Sequence, residues 1–415
     1  MWADESVFYQ IYPIGFCGAP KDNDGKLVPR ITKVMEWSDY LADLGIDAVL
    51  FNPILESDRH GYDTRDYRKI DCRLGTNDDF AKVCKNLHDK NIRVVLDGVF
   101  NHVGRGFWAF QDVQEKRENS DYKNWFKIDF NNNSNYDDGF WYEGWEGHYE
   151  LVTLNLQNEE VVEYLLESVR GWIEEFDIDG LRLDVAYLVD RTFMKRLRKF
   201  CEELKPDFVL IGEVLFGDYN QIVNDDMLHS CTNYECYKGL HSSFNSMNMF
   251  EIAHSLNRQF GAEDWCLYRG KHLLNFVDNH DVSRVASILK NKNHLKPIYG
   301  LMFAMPGIPC IYYGSEWGAL GDKAEGDDGL RLEYGKPMPN ELTEFIKKLI
   351  VEYKENKALC YGDYRAATIS NKQLVFERNY KGDKVTVAVN ADGEGCTVGE
   401  INLAPYEFKI IGSDV

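Results

Sequence analysis

Four short apolar runs in this chain end on side chains able to move or hold protons. RVVLDGVFNH carries Asp97, Asn101 and His102, DGLRLDVAY carries Arg182 and Asp184, FVLIGEV carries Glu213, and LLNFVDNHD reaches His280 and Asp281. A single carboxylate closing such a run serves equally well as a structural cap. Three of them, accompanied by an arginine and two histidines, are much harder to explain that way. Like charges converging on one cavity cost stability and drive pKa values apart, a cost usually retained for acid/base work. Two carboxylates of different protonation state are what glycoside cleavage requires: one protonates the leaving oxygen, and the other attacks or stabilises the oxocarbenium-like centre.

These residues can meet only if the runs are neighbouring strands whose C-terminal ends open on one face. Strands are expected at Val7–Tyr12, Ala48–Asn52, Arg93–Gly98, Gly180–Asp184, Phe208–Glu213, near His229–Tyr234, at Leu273–Val277 and at Cys310–Tyr313. Eight would close a parallel barrel, and its active site collects at the strands' C-terminal ends. Amphipathic segments alternate with them, as repeated βα units demand. From Thr76 to Lys90, Thr76 can cap a helix whose Phe80, Val83, Cys84 and Leu87 recur at helical spacing. From Glu159 to Phe176, Val162, Leu165, Val169, Trp172, Ile173 and Phe176 form an apolar stripe. Both stripes read as core faces.

Two regions break the rhythm. The Asn-, Gly- and Trp-rich stretch between Val103 and Asn158 is too irregular for a βα unit and too long for a simple loop, so it reads as an excursion on the barrel's top face. From about Tyr361 alternating strands with turn signals predict an antiparallel β domain. The expected organisation is an α/β fold: a (β/α)8 TIM barrel over residues 1–102 and 159–355, a small excursion domain over 103–158 after the third strand, and a C-terminal antiparallel β-sandwich over 356–415.

At 415 residues and 44% hydrophobic content the chain is long and apolar enough for such a globular fold. It lacks the roughly 20 unbroken apolar residues of a membrane helix. Forty-seven basic against 68 acidic residues, a formal charge of −21, would repel phosphate backbones and anionic lipid surfaces, so neither nucleic acid nor membrane is an expected partner. The ten cysteines lack CxxC spacing and are expected as buried free thiols. The opening MWADESVFYQIYP has no basic-then-apolar secretory pattern, so a cytoplasmic location is expected.

Jointly, DGVFNH, GLRLDVA, GEV and FVDNHD in this order, with GYDTRDY after the second strand and GIPCIYYGSEWG at the eighth, resemble the α-amylase family, family 13 of the glycoside hydrolases. The resemblance covers nearly the whole chain. It implies Asp184 as nucleophile, Glu213 as general acid/base and Asp281 as transition-state stabiliser. Arg182 is then placed to keep Asp184 ionised, His102 and His280 to bond sugar hydroxyls, Tyr62 to underlie the sugar, and Asp97 to act as a structural acid of the same pocket. It also implies a retaining geometry, with the Asp184 and Glu213 carboxyls about 5–5.5 Å apart. Trp108, Trp141, Trp145 and Trp317 either extend a sugar cleft or serve as core and rim packing.

Departures narrow the expectation. Where many starch-degrading members resemble RxDxxKH around the nucleophile, this chain has Tyr187 and Leu188, and RLDVAYLVD looks closer to the neopullulanase, cyclomaltodextrinase and maltogenic amylase branch. That branch usually carries an extra N-terminal domain, whereas this sequence starts at the first barrel strand. The family's structural calcium site uses an Asn at Asn101 and an Asp in a motif resembling LPDLN. Here LVTLN puts Thr153 at the acid's place, so that site is expected to be weak or absent and no cofactor to be required. The Asp22–Asn23–Asp24 loop reads as a solvated turn or a cation loop. The implied activity is hydrolysis of α-1,4-glucosidic bonds in an α-glucan oligosaccharide or polysaccharide. The alternatives are a transglycosylase or exo-acting α-glucosidase on the same barrel, or a catalytically silent carbohydrate-binding protein.

Overall fold

The β-rich runs form eight parallel strands in the computed structural model, which describes residues 1–412. They are β1 (Phe8–Ile11), β2 (Ala48–Phe51), β3 (Arg93–Gly98), β4 (Gly180–Leu183), β5 (Val209–Gly212), β6 (Ser230–Cys231), β7 (Leu274–Asn275) and β8 (Ile308–Tyr312). Their order in the sheet is β6-β5-β4-β3-β2-β1-β8-β7. A parallel bridge between Thr232 and Leu274, with the Asn233 N–H donating to the Leu274 carbonyl at 2.9 Å, brings the two edges together. The sheet thereby nearly closes into a TIM barrel.

All eight expected strands are present, most of them trimmed at their ends. The sixth is cut shortest, because the Asn233 side chain accepts from the Cys236 N–H and starts a helix at Tyr234, ending any extended backbone there. The βα alternation also lapses once. Between β5 and β6 the described residues hold only a 3-10 turn, Tyr219–Gln221, whereas β6 and β7 are joined by two helices, Tyr234–Ser246 and Phe250–Phe260.

Side chains of alternate strand residues fill the barrel: Phe8, Ala48, Leu50, Val95, Val209, Ile211, Leu274, Ile308 and Cys310 form one buried cluster inside it. The strands' outer faces and the helices make the main core. The helix Asn77–His88 is capped reciprocally, Thr76 accepting from the Asp79 N–H while the Asp79 carboxylate accepts from the Thr76 N–H. The helix Glu159–Phe176 buries the whole predicted stripe, with Asn158 as its cap. Each such large apolar side chain contributes about 1.5–3 kcal/mol when fully buried.

After β3 the chain leaves the barrel. The strand His102–Gly104 pairs antiparallel with His148–Thr153, which also pairs with Gly144–Trp145. Trp108 packs edge-on against Tyr122 and Trp125, and the Trp141 indole donates to the Tyr149 hydroxyl at 2.9 Å, so both belong to this excursion's packing. At the C-terminal end, β9 (Arg365–Ile369), β10 (Gln373–Tyr380), β11 (Asp383–Asn390) and β14 (Phe408–Gly412) form an antiparallel sheet. The hairpin β12 (Cys396–Val398) and β13 (Ile401–Leu403) packs on it through Val375, Ala388 and Leu403. All ten cysteines are free and seven are buried. Among the described residues no helix is long and apolar enough to cross a membrane.

Candidate active site

Period-two alternation points Arg182 of β4 and Asp184, the residue just past its end, into the barrel mouth together. In the β3/β4 pairing Asp97 lies opposite Arg182, and one step past the Leu183–Gly212 pair Asp184 and Glu213 stand side by side. Register alone therefore gathers the guanidinium and three carboxylates. Arg182 Nη1 is 2.6 Å from Asp97 Oδ2 and 3.1 Å from Asp184 Oδ1, while its Nη2 is 2.7 Å from Glu213 Oε1. All four side chains are buried.

The backbone here is strained. Val185, directly after Asp184, has φ +39°, where a β-branched side chain is a true outlier costing about 1–3 kcal/mol. In this conformation the Val185 N–H donates to Glu213 Oε2 at 3.1 Å, so the strain supplies a donor to the neighbouring acid.

A fourth carboxylate comes from the segment after β7. Asp281 lies 2.9 Å from His280 Nε2 and 3.0 Å from Arg331 Nη2. The Gln10 amide donates to His280 Nδ1 at 2.9 Å, so the ring presents its Nε2 proton toward Asp281. Tyr62 stacks on His280 with ring centroids 5.7 Å apart, and its hydroxyl donates to Asp97 at 3.1 Å. His102 Nε2, buried and without a hydrogen-bond partner, points into the pocket 3.8 Å from Asp184 Oδ2.

These surroundings separate the acids. Burial opposes charge on Asp281, but His280 and Arg331 outweigh it and hold the carboxylate well below the usual range. Burial first, then the adjacent Glu213 carboxylate, push Asp184 well above that range, and Arg182 offsets only part of this. Burial also raises Glu213, with Arg182 pulling against it. Arg182 lies where expected, touching Asp184, and favours its charged form against burial and the Glu213 carboxylate. Together these causes move the titration of the Asp184–Glu213 pair above that of an ordinary carboxylate pair. Burial, with His60 nearby, drives His102 down to about 3, which leaves it neutral.

A cavity of about 400 Å³ joins these groups, and Tyr187 and Trp145 line it as well. The Tyr187 hydroxyl reaches Glu146 Oε1 of the excursion at 3.4 Å. Trp317 lies elsewhere, in a groove shared with Leu320, Asn340 and Tyr406, and does not extend the cavity. The sequence reading missed Arg331, Asn52, Gln10 and His60. Asn52 and Gln10 left a faint signal, as polar residues ending or interrupting apolar runs. Arg331 left none, since it belongs to the irregular chain after β8.

For a cation the donor set fits poorly. Asn101 and Thr153 line one cleft, but the acids near them are engaged: Glu143 pairs with Lys127 at 2.7 Å, and Asp190 accepts from the Phe193 N–H at 2.9 Å. In the Asp22–Asp24 loop Asp22 pairs with Arg59 at 2.7 Å, and Asp24 accepts from the Lys26 N–H at 3.1 Å, as in a solvated turn. Among the described residues the one convergent trio of metal-ligating types is Glu56, Asp71 and Cys72. Its Asp71 is already satisfied by the fully buried Arg73 at 2.6 Å.

The mouth of this (β/α)8 barrel thus holds three acids around one buried arginine. The chain belongs to the alpha-amylase family: the model of the alpha amylase catalytic domain matches residues 10–358. It is 34% identical over 386 residues to the maltogenic alpha-amylase of Bacillus acidopullulyticus, covering 86% of this chain and 64% of that protein. It is 30% identical over 424 residues to the cyclomaltodextrinase of Thermoanaerobacter pseudethanolicus, covering 94% and 70%. The chain thus spans about two thirds of the length of these relatives. The cyclic alpha-maltosyl-(1→6)-maltose hydrolase from Arthrobacter globiformis, in complex with that cyclic sugar, superposes with a TM-score of 0.87 at 28% identity, over 99% of both chains.

Proposed function

We propose that the protein hydrolyses α-1,4-glucosidic bonds in maltodextrins with retention of configuration. The observation that carries this reading is the single Arg182 guanidinium touching both Asp184 and Glu213 in a buried pocket, whose low polarity raises both acids and favours one proton shared between them. A retaining enzyme needs that proton on one acid and a nucleophilic carboxylate on the other. In the first step Glu213 gives its proton to the glycosidic oxygen as that bond breaks, and an Asp184 oxygen bonds to the anomeric carbon. In the second, Glu213 takes a proton from water, whose oxygen displaces the Asp184 carboxylate.

When sugar enters, positive charge develops at the anomeric carbon beside Asp184, which favours its ionised form and sends the shared proton to Glu213. Asp281, held charged by His280 and Arg331, adds negative charge where the oxocarbenium character grows. Neutral His102 offers its unpartnered Nε2 to a sugar hydroxyl, and Tyr62 underlies the ring. No step calls on a cation. Similarity to a maltogenic alpha-amylase and a cyclomaltodextrinase supports short or cyclic α-glucans as the substrate class. The first-formed product on maltotriose, followed by proton NMR before mutarotation, should be the α-anomer. A β-anomer would remove Asp184 as nucleophile, and absence of any product would favour a silent carbohydrate-binding protein.

A further inference from the structure

Two buried carboxamides connect the acid beside Arg182 with the histidine beside Asp281. They are Asn52, just past β2, and Gln10 of β1. A carboxamide donates at one end and accepts at the other, so a chain of them carries a direction. Asp97, paired with Arg182 at 2.6 Å, offers acceptors only. The Asn52 amide nitrogen therefore turns toward it, donating to Asp97 Oδ2 at 3.2 Å, which leaves Asn52 Oδ1 facing Gln10. That oxygen accepts from Gln10 Nε2 at 2.9 Å. The second N–H of the same nitrogen meets His280 Nδ1, also at 2.9 Å. A donor aimed at Nδ1 leaves the ring proton on Nε2, which faces Asp281 Oδ2 at 2.9 Å and the Tyr62 oxygen, whose own proton goes to Asp97. The chain thus runs across the adjacent strands β3, β2 and β1 and then crosses the barrel mouth to His280.

We propose that Asn52 and Gln10 are positioning residues whose relay, oriented by Asp97, fixes the His280 tautomer and through it the placement of Asp281. In the opposite tautomer an Nδ1 proton would face the Gln10 N–H, and a bare Nε2 would face the Asp281 carboxylate. Both are like-against-like contacts, and burial leaves no water to relieve them. Asp281 would then keep Arg331 at 3.0 Å but lose its contact with His280. The kinetic consequence rests on the hydrolase reading above. Asp281 meets its greatest opposing charge as oxocarbenium character grows, so a displaced Asp281 weakens the transition state more than the bound substrate.

The test records 15N spectra of the histidine-labelled protein, with the near-isosteric variants Gln10→Met and Asn52→Leu beside wild type, and maltotriose kinetics on the same samples. In wild type, His280 should show an unprotonated Nδ1 and a protonated Nε2. Either variant should shift proton density toward Nδ1. In both, kcat should fall about 10- to 100-fold, the size of one lost hydrogen bond to a charged group, while KM changes by less than about threefold. A purely structural role would lower melting temperature without moving the tautomer. A protonated Nδ1 in wild type overturns the proposal, and that spectrum needs no variant to fold. An unchanged His280 tautomer in folded Gln10→Met or Asn52→Leu overturns it as well, as does an unchanged kcat. Failure of the wild type to release fluoride from α-maltosyl fluoride would overturn the hydrolase reading and the kinetic consequence with it, while the spectra decide the tautomer independently.

Discussion

Replacing Glu213 with alanine tests the chemistry at the point where structure constrains it most. The substitution removes the proton donor and empties the volume its carboxylate filled. It also frees two donors that now face it, Arg182 Nη2 at 2.7 Å and the Val185 N–H at 3.1 Å. General acid/base catalysis is typically worth about 10²–10⁴-fold, or roughly 3–5 kcal/mol of barrel-site transition-state stabilisation. Turnover of maltotriose should therefore fall by that range. The freed donors form a cradle of positive character that a small anion can enter, so added azide should restore turnover of α-maltosyl fluoride, whose leaving group needs no proton. The product should be the α-maltosyl azide, because azide displaces Asp184 from the face water would use. Wild-type kcat/KM should decline as pH rises through the raised titration of the Asp184–Glu213 pair, and the variant should lose that alkaline limb. Less than tenfold loss on maltotriose, a β-azide, or no azide-dependent product would refute the assignment.

Three further outcomes follow from the same structure. Asp179, which pairs with His88 at 2.9 Å and Lys205 at 2.9 Å, is held at about 2 despite its burial. Its folded-state value lies below the ordinary value of about 3.9, so it contributes about 2–3 kcal/mol at neutral pH that is lost as pH falls through the folded value. Asp179→Asn should lower the melting temperature at pH 7 and narrow the gap to wild type near pH 2. Chelation should leave activity and melting temperature largely unchanged, because Thr153 supplies no carboxylate and the acids beside it are already paired; a loss in EDTA restored by calcium would show a site rebuilt from other ligands. With Tyr187 and Leu188 where directed polar contacts would otherwise grip the leaving-side sugar, kcat/KM should be higher on maltooligosaccharides or cyclodextrin than on soluble starch, and the reverse order would overturn that account of specificity.

Much of this protein was readable from local pattern. A strand end depends on a few adjacent residues, and alternation makes Arg182 and Asp184 share a face wherever β4 lies. The helices at Asn77–His88 and Glu159–Phe176 follow from caps and stripes that are equally local. The shortened β6 and the missing βα helix before it were less legible, because a two-residue strand held by Asn233 leaves almost no periodic trace. Other features depended on distance through space. Arg331 meets Asp281 from 50 positions away, and Gln10 orients His280 from 270 positions away. Trp317 was a plausible cleft residue until the turn after β8 carried it into another groove. The balance of influences on Asp184 is not local either. Its neighbour in sequence, Arg182, favours the charged form, but burial and the Glu213 carboxylate from the next strand outweigh it. Sequence thus determined which groups could do the chemistry and on which strand ends they sit. Only tertiary structure decided how they share charge and which distant side chains complete the pocket, since electrostatic energy depends on burial and separation in space, which positions along the chain do not record.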